Sequence, residues 1–162
     1  MTREQLGSLI IASEDTMYRV AKTLLRSDAD CGDAIQETIV KAFSKIHTLR
    51  SDALGKTWLI RILINECYTI MRKEKRFVSL EEYPQEETAV ETEDYSELYE
   101  ALGRLPEEAR LCVTLYYMEG YSVKEIASLL KLTESDVKSR LARSRIRLRR
   151  ELEMEGTHVL AR

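Results

Sequence analysis

The sequence predicts an all-α protein that consists of two small helical domains joined by an acidic, flexible linker. Apolar residues recur at helical spacing along most of the chain, and the 162 residues include only two prolines and six glycines. The segment 76–100 contains nine acidic residues and one basic residue, whereas the chain on either side of it is slightly more basic than acidic. An acidic composition with few large apolar residues favours a solvated linker. We therefore expect domains at 1–76 and 96–162, with the linker at 77–95.

The N-terminal domain is predicted to contain three helices. The apolar periodicity indicates a first helix at about 3–25, a second at about 31–46 and a third at about 57–75. A loop at 51–56 precedes the third helix. In the second helix, polar side chains lie opposite the apolar stripe and are expected to be exposed. These polar residues are Asp33, Gln36, Glu37 and Lys41.

The C-terminal domain is predicted to contain four helices, of which the last two form a helix-turn-helix. A short helix precedes one that begins near Pro106 and ends near Gly120, placements typical of proline and glycine at helix ends. Ser122 and Glu125 have the spacing of a capping box, and Thr133 can cap the helix that follows. A connection this short makes the two helices cross steeply, as in DNA-binding proteins whose second helix enters a major groove.

The last helix concentrates basic residues, although the whole chain has a formal charge of −3. Seven Lys and Arg side chains and no acid occur within 138–150. One face of this helix is apolar and is expected to pack on the domain, while an arginine stripe remains for an anionic partner. Salt screens charges beyond about 8–10 Å, so local charge governs phosphate contacts. A solvated basic helix end would explain the last two arginines but not the whole stripe.

Three stretches of the sequence match one known pattern in order. "DADCGDAIQETIVKAFSKI" and "KTWLIRILINECYTIMRKEKR" stand before the acidic segment, and "LPEEARLCVTLYYMEGYSVKEIASLLKLTESDVKSRLARSRIRLR" stands after it. Together they resemble the extracytoplasmic-function (ECF) group of the bacterial RNA polymerase sigma-70 family. The resemblance implies a three-helix sigma region 2 domain at 1–76 and a sigma region 4 helix-turn-helix domain at 96–162.

The resemblance implies that the second helix docks on the clamp of core RNA polymerase, although a solvated helix face would show the same polar pattern. It also implies that the linker threads near the polymerase active cleft. A further implied partner is an anti-sigma factor, soluble or membrane-bound, that holds a stress-responsive chain which is a monomer when free. The residues expected to bind core polymerase are Asp33, Gln36, Glu37 and Lys41.

The third helix carries a stripe that suits single-stranded DNA. One tryptophan, two arginines and an asparagine lie within about 60° of one another and offer stacking, cationic and amide groups to bases and phosphates. The resemblance implies that this stripe captures the melted non-template strand of the −10 element, with the loop 51–56 as a pocket wall. Trp58 could equally belong to the core. The residues expected to contact the −10 strand are Trp58, Arg61, Asn65, Arg72, Lys73 and Arg76.

The resemblance implies that the helix-turn-helix binds the duplex of the −35 element. Arg143 can pair with guanine edges, whereas Arg147 and Lys124 are expected to contact phosphates, which position the helix without specifying sequence. Ala142 occupies a position where some relatives have an aromatic residue, and this bears on the promoter sequence that is bound. The residues expected to contact the −35 element are Lys124, Lys138, Ser139, Arg140, Arg143 and Arg147.

No catalytic site, cofactor or metal site is predicted, so the polymerase would carry the chemistry. The two histidines lack ligand-like neighbours, and the three cysteines lack CxxC spacing. The N-terminus has no secretory signal, which favours a cytoplasmic protein. Two other classes stay open: a stand-alone helix-turn-helix repressor or activator, which would normally dimerise, and a helical adaptor whose arginine face binds an acidic protein. Binding of a monomer to core polymerase would separate the sigma interpretation from both.

Overall fold

The computed structural model describes the backbone of residues 1–78 and 96–160, and the side chains of residues 1–75 and 97–154. Within these ranges every regular element is helical. The chain divides into two compact units, residues 1–88 and 89–162. They are named unit 1 and unit 2, and each is described by itself. Most of the predicted linker at 77–95 lies outside the described residues.

Unit 1 is a bundle of four α-helices. The helices are α1 (Arg3–Ala12), α2 (Glu14–Leu24), α3 (Asp28–Ser44) and α4 (Gly55–Val78). Two 3-10 turns, Ile46–Thr48 and Asp52–Leu54, connect α3 to α4. These two helices make the most extensive helix contact of the unit, and the core includes the fully buried side chains of Leu59, Ile60 and Leu63 from α4.

The predicted first helix is divided in two at Ser13. This residue is buried, and its backbone N–H donates to the carbonyl oxygens of Leu9 at 2.9 Å and Ile10 at 3.1 Å. The apolar side chains of this segment therefore reach the core from two helices instead of one. The apolar periodicity continues through Ser13, which is why the pattern predicted a single helix. Two acidic residues in the first turn of α2 could have indicated that a new helix begins there, since acids favour helix N-termini.

The buried face of α3 agrees in part with the predicted one, because Ile35, Ile39 and Phe43 were also expected to be buried and are only half-buried. Cys31, Ala34, Thr38 and Ala42 are buried. The helix begins earlier than predicted because the hydroxyl of Ser27 caps it, accepting the backbone N–H of Asp30 at 3.1 Å. Because one face of α3 packs on the core, its polar side chains Asp33, Gln36 and Glu37 lie on the opposite, exposed face.

Unit 2 contains four α-helices and one π-helical turn. The helices are α5 (Ser96–Gly103), α6 (Glu107–Val113), α7 (Val123–Leu130) and α8 (Glu134–Leu160), and the π-helical turn is Thr114–Met118. Pro106 caps α6, and Gly120 follows the π-helical turn with a φ of +72°, a conformation that glycine adopts without strain. None of the helices in the described ranges of either unit combines the length and apolar character needed to cross a membrane.

Local hydrogen bonds build the connection between α7 and α8. The Glu125 N–H donates to Ser122 Oγ and the Ser122 N–H donates to Glu125 Oε1, both at 3.1 Å. The Asp136 N–H donates to Thr133 Oγ1 at 3.0 Å. Lys131 turns the chain between the helices with a φ of +56°. Both predicted caps are confirmed: the Ser122–Glu125 capping box fixes where α7 begins, and Thr133 fixes where α8 begins.

Candidate nucleic-acid interface

A cleft of about 320 Å³ lies between α3 and α4 of unit 1. Its cations come from both helices: two lysines at the C-terminal end of α3 and one arginine on α4. They surround a single carboxylate. Like the predicted site for single-stranded DNA, the cleft thus contains cationic side chains and an amide. The residues that line the cleft include Lys41, Lys45, Asn65, Glu66, Tyr68 and Arg72.

An ion pair joins the two helices at this cleft. The Lys41 ammonium of α3 donates to Glu66 Oε1 of α4. The Glu66 side chain is only 10% exposed, whereas that of Lys41 is 39% exposed. The hydrogen bond to Glu66 raises the pKa of Lys41 above its ordinary value. Because an unpaired buried carboxylate is costly, the bond to Lys41 offsets the burial of Glu66.

A short chain of hydrogen bonds holds Arg72 along α4. Arg72 Nη2 donates to Thr69 Oγ1 at 3.2 Å, and Thr69 Oγ1 donates to the carbonyl oxygen of Asn65 at 3.0 Å. The side chains of Asn65 and Arg72 are exposed. An amide and a guanidinium are therefore exposed on the same face of α4 at the cleft, two turns apart.

Trp58 and Arg61 do not line this cleft, although they were predicted together with Asn65 and Arg72. Both are half-buried. The Trp58 indole N–H donates to Thr48 Oγ1 at 3.3 Å, in the first 3-10 turn. Trp58 is thus neither a fully buried core residue nor a fully exposed one. Lys73 is exposed.

Arg76 belongs to the helical backbone of α4, but its side chain lies outside the described residues. The prediction that it contacts the −10 strand therefore remains a prediction.

The exposed face of α3 contains most of the residues predicted to bind polymerase. Asp33, Gln36 and Glu37 are exposed. Val40 lies on the same face at helical spacing and is 62% exposed, a feature that the polar pattern did not reveal. Lys41 differs from the prediction, because its ammonium is bound to Glu66 in the cleft instead of standing free with this group.

In unit 2, α8 has the two faces that its sequence predicted. Val137, Leu141 and Ser144 are buried, as expected for the packed face. The other face is exposed at Lys138, Ser139 and Arg143, and Lys124 on α7 is exposed as well. The exposed face of α8 is therefore free to meet a partner along its first turns.

Two arginines of α8 are engaged by nearby acids. Arg140 Nη2 lies 2.7 Å from Glu108 Oε2 of α6, and the Arg140 side chain is 26% exposed. Arg147 Nε lies 3.3 Å from Glu151 Oε1, one turn further along α8, and is 48% exposed. Sequence reasoning did not find the Glu108 contact, because the two residues are distant in the chain.

The three cysteines are packing residues. All are free thiols and buried. Burial raises the pKa of the Cys31 thiol to about 11, that of Cys67 to about 12 and that of Cys112 to about 11. Thiolates are the reactive and metal-binding form, and these thiols stay protonated at neutral pH. Within the described ranges no cluster of three or more His, Cys, Asp or Glu side chains could hold a metal ion.

The structure thus combines two helical units, one with a cationic cleft and one with a basic helix-turn-helix. Residues 9–77 match sigma-70 region 2, and residues 95–148 match sigma-70 region 4. The chain is 36% identical over 146 residues to the ECF RNA polymerase sigma factor SigM of Mycobacterium tuberculosis, a match that covers 88% of this chain and 74% of SigM. It is 29% identical to the RNA polymerase sigma factor SigV of Bacillus subtilis, with 95% of each chain covered.

A solved structure has the same fold. The sigma factor RpoE of Bartonella quintana, in a co-crystal structure with the anti-sigma factor NepR, aligns with a TM-score of 0.78 at 26% identity, over 93% of this chain and 96% of RpoE. The chain belongs to the sigma-70 family, in its ECF group of RNA polymerase sigma factors. The predicted family and two-domain helical fold are confirmed, and the family role is that of a specificity subunit with no catalytic site of its own.

Proposed function

We propose that this chain binds core RNA polymerase and directs it to promoters through two separate DNA contacts. The observation that carries the proposal is the presence, in one chain, of a cationic cleft in unit 1 and an exposed basic recognition helix in unit 2. A cleft with amide and cationic groups suits unpaired bases and their phosphates. A protruding helix suits the major groove of a duplex.

In unit 1, the melted non-template strand of the −10 element occupies the cleft. Asn65 and Arg72 bind it from α4, with Lys73 and Arg76 further along the helix as backbone contacts. Trp58 and Arg61 bind the strand beyond the cleft, at the end of α4 next to the loop 51–56. We add Lys41 and Lys45 to this site, because both line the cleft.

In unit 2, α8 enters the major groove of the −35 element. Lys138, Ser139 and Arg143 are exposed on its first turns and contact base edges, with Arg143 pairing to guanine. Lys124 and Arg147 bind phosphates. Arg140 reaches the DNA only by leaving Glu108, and its contribution is accordingly smaller.

Core polymerase binds the exposed face of α3. Asp33, Gln36 and Glu37 provide polar contacts, and Val40 provides apolar area, which the centre of a stable interface usually contains. A regulatory partner follows from similarity: RpoE of B. quintana forms a complex with the anti-sigma factor NepR. By analogy, this chain is held by an anti-sigma factor in a one-to-one complex and released in response to stress.

Reconstitution with core polymerase tests the proposal. Purified core enzyme and this chain should initiate transcription at defined genomic start sites, and core enzyme alone should not. Asn65→Ala should impair opening and be rescued on a promoter that is already melted over the −10 element. Arg143→Ala should lower selectivity for the upstream element by about tenfold, since a good base contact is worth about 1–3 kcal/mol.

Arg149→Ala is the matched control for Arg143→Ala, because it removes one charge from an exposed position of the same helix. It should weaken binding to all DNA equally and leave selectivity intact. A chain that binds promoter duplex as a dimer and has no affinity for core polymerase would be a stand-alone regulator, and one that binds no DNA at low salt would be an adaptor. Either result contradicts the proposal.

A further inference from the structure

We infer that Glu66 recognises the exocyclic amino group of an unpaired base, so that the cleft selects cytosine, adenine or guanine over thymine at one position of the opened strand. The inference rests on the proposed function, because it assigns a specificity-determining residue within the single-strand site. Asn65 and the cations do not supply such selectivity alone: an amide both donates and accepts, and cations bind phosphates of any sequence.

Glu66 differs from every other polar group of the cleft in its burial. Its side chain is 10% exposed, while Asn65 and Arg72 are exposed. Glu66 also stands in the apolar stripe of α4, in helical register with the buried Leu59 and Leu63. A carboxylate in such a position is tolerated only with a partner, and the partner is Lys41.

The ion pair leaves part of the carboxylate available. An ionised carboxylate accepts at about four lone-pair sites on its two oxygens, and the Lys41 bond is made to Oε1. The cleft therefore presents acceptor sites at Glu66 next to the ammonium donor of Lys41. The pair is neutral overall, so it does not repel the phosphates of an approaching strand.

This order of acceptor and donor fits a base with an amino group. Cytosine and adenine present an amino donor next to a ring-nitrogen acceptor, and guanine presents an amino donor on the same edge as a carbonyl oxygen. The pairing of a carboxylate with the cytosine amino group is an established form of base recognition. Thymine and uracil present a carbonyl oxygen in place of that amino group, which a carboxylate repels. The cleft volume of about 320 Å³ is at the lower end of the range of about 300–1,000 Å³ for small-molecule pockets.

The flanking residues suit the other parts of a nucleotide. Tyr68 and Ile62 line the cleft and offer an aromatic ring and apolar area to the face of a base. Lys45 and Arg72 offer charges to the phosphates on either side. Base–aromatic contact of this kind tolerates all sequences, so that selectivity falls to Glu66.

The test is an equilibrium measurement with holoenzyme and single-stranded DNA. The probe is the fluorescently labelled non-template strand of a promoter mapped by the reconstitution above. Each cytosine of the −10 element is replaced in turn by deoxyuridine, which has oxygen in place of the amino group and an N3–H in place of the N3 acceptor. Each adenine is replaced by the purine deoxynucleoside that lacks the amino group, and each guanine by deoxyinosine, which lacks it as well. Wild-type holoenzyme should bind one substituted strand about tenfold more weakly, and Glu66→Gln holoenzyme should distinguish the same pair less than about twofold.

Two further variants make the result specific to this carboxylate. Glu14→Gln removes an exposed carboxylate of α2 in the same unit and should keep the full tenfold ratio. Glu66→Asp keeps the charge beside Lys41 but withdraws the acceptor by one methylene, and it should also lose most of the ratio even if Glu66→Gln folds poorly. The ratio compares two strands on one preparation, so it does not depend on the active fraction.

The outcomes separate this inference from the proposed function. Holoenzyme that initiates correctly but binds every substituted strand as well as the parent overturns the inference and leaves the sigma function intact. The same conclusion follows if Glu66→Gln or Glu66→Asp retains the wild-type ratio, since Glu66 would then only stabilise the helix pair. Absence of any binding to core polymerase overturns both.

Discussion

The two surfaces that we propose bind DNA in this sigma factor differ in shape and in how they use acidic residues. In unit 1 the surface is concave, and its acid, Glu66, lies inside the cleft between cations. In unit 2 the surface is the exposed face of α8, and two nearby acids, Glu108 and Glu151, pair with arginines of that helix. A concave site encloses single bases, whereas a convex helix follows a groove.

The difference shows that net basic charge is not what the two sites share. An enclosed base must exchange its water for directional partners, so a site for unpaired bases needs acceptors as well as cations. A duplex keeps its bases paired and offers a dense row of phosphates, so a groove-binding helix works mainly through exposed cations. The three predictions below test this division, in order of expected effect.

The largest effect should come from cavities placed in one unit or the other. Leu63→Ala in unit 1 and Leu111→Ala in unit 2 each truncate a fully buried side chain and should lower the free energy of unfolding by about 2–5 kcal/mol. The buried cysteines report which unit opens. Labelling with iodoacetamide and peptide mass mapping should show faster reaction of Cys31 and Cys67 in the first variant, and of Cys112 in the second.

Leu54→Ala is the control for the cavity variants, because Leu54 is exposed and its truncation should change labelling little. If either cavity variant accelerates labelling of all three cysteines together, the units unfold as one body. The two sites could then not be treated as parts of independently folding units.

An intermediate effect should come from Lys41→Met, which leaves Glu66 without its cation. The variant should be destabilised by about 1–3 kcal/mol at neutral pH, the cost of an unsatisfied buried group. The bond to Glu66 raises the pKa of Lys41 in the folded state, so its contribution to stability is complete below the unfolded pKa, about 10.4, and is lost as the pH rises through the folded pKa. Urea denaturation at several pH values should show a constant deficit from pH 7 to 9 that shrinks above pH 10.4.

Lys56→Met serves as the comparison for Lys41→Met, since Lys56 is exposed and its loss should cost less than about 0.5 kcal/mol. Equal stability of the two variants would mean that the ion pair contributes nothing to stability, and that the buried Glu66 side chain does not need Lys41 as a partner.

The smallest effect should come from Glu108→Gln in unit 2. The Arg140–Glu108 pair is partly exposed, so its loss should change the free energy of unfolding by less than about 1 kcal/mol. Release of Arg140 should strengthen holoenzyme binding to promoter duplex a few-fold at low salt, and the gain should vanish as salt increases. Fluorescence anisotropy at a series of salt concentrations measures this.

Glu107→Gln changes the net charge equally on the same helix and should give a smaller gain. Weaker binding by Glu108→Gln would reverse the interpretation, because the carboxylate would then orient Arg140 toward DNA instead of holding it back.

Local signals in the sequence were sufficient for the helix-turn-helix. The Ser122–Glu125 capping box and the Thr133 cap depend on residues three apart, and the buried face of α8 follows from helical spacing. Such features need no knowledge of the rest of the molecule, and the structure confirms them.

The cleft could be predicted only in part, because its composition depends on two helices. Asn65 and Arg72 were identified from one stripe of α4, but Lys41 was assigned to the outer face of α3. Its bond to Glu66 joins residues on different helices, and no periodicity within either helix contains that information. The position of Glu66 in an apolar stripe was a usable signal, since a buried acid requires a cation nearby.

Glu151 has a further consequence for how much DNA one helix can cover. It lies 3.3 Å from Arg147 on its own helix and 3.3 Å from Arg104 of α5. It thus places a negative charge on α8 one turn beyond Arg147, the last predicted phosphate contact. The segment from Lys138 to Arg147 rises about 14 Å along the helix axis at 1.5 Å per residue, which is the length of about four base pairs at 3.4 Å each. The upstream footprint of this chain should accordingly be short, and promoters that share only four or five adjacent base pairs there can be served by the same protein.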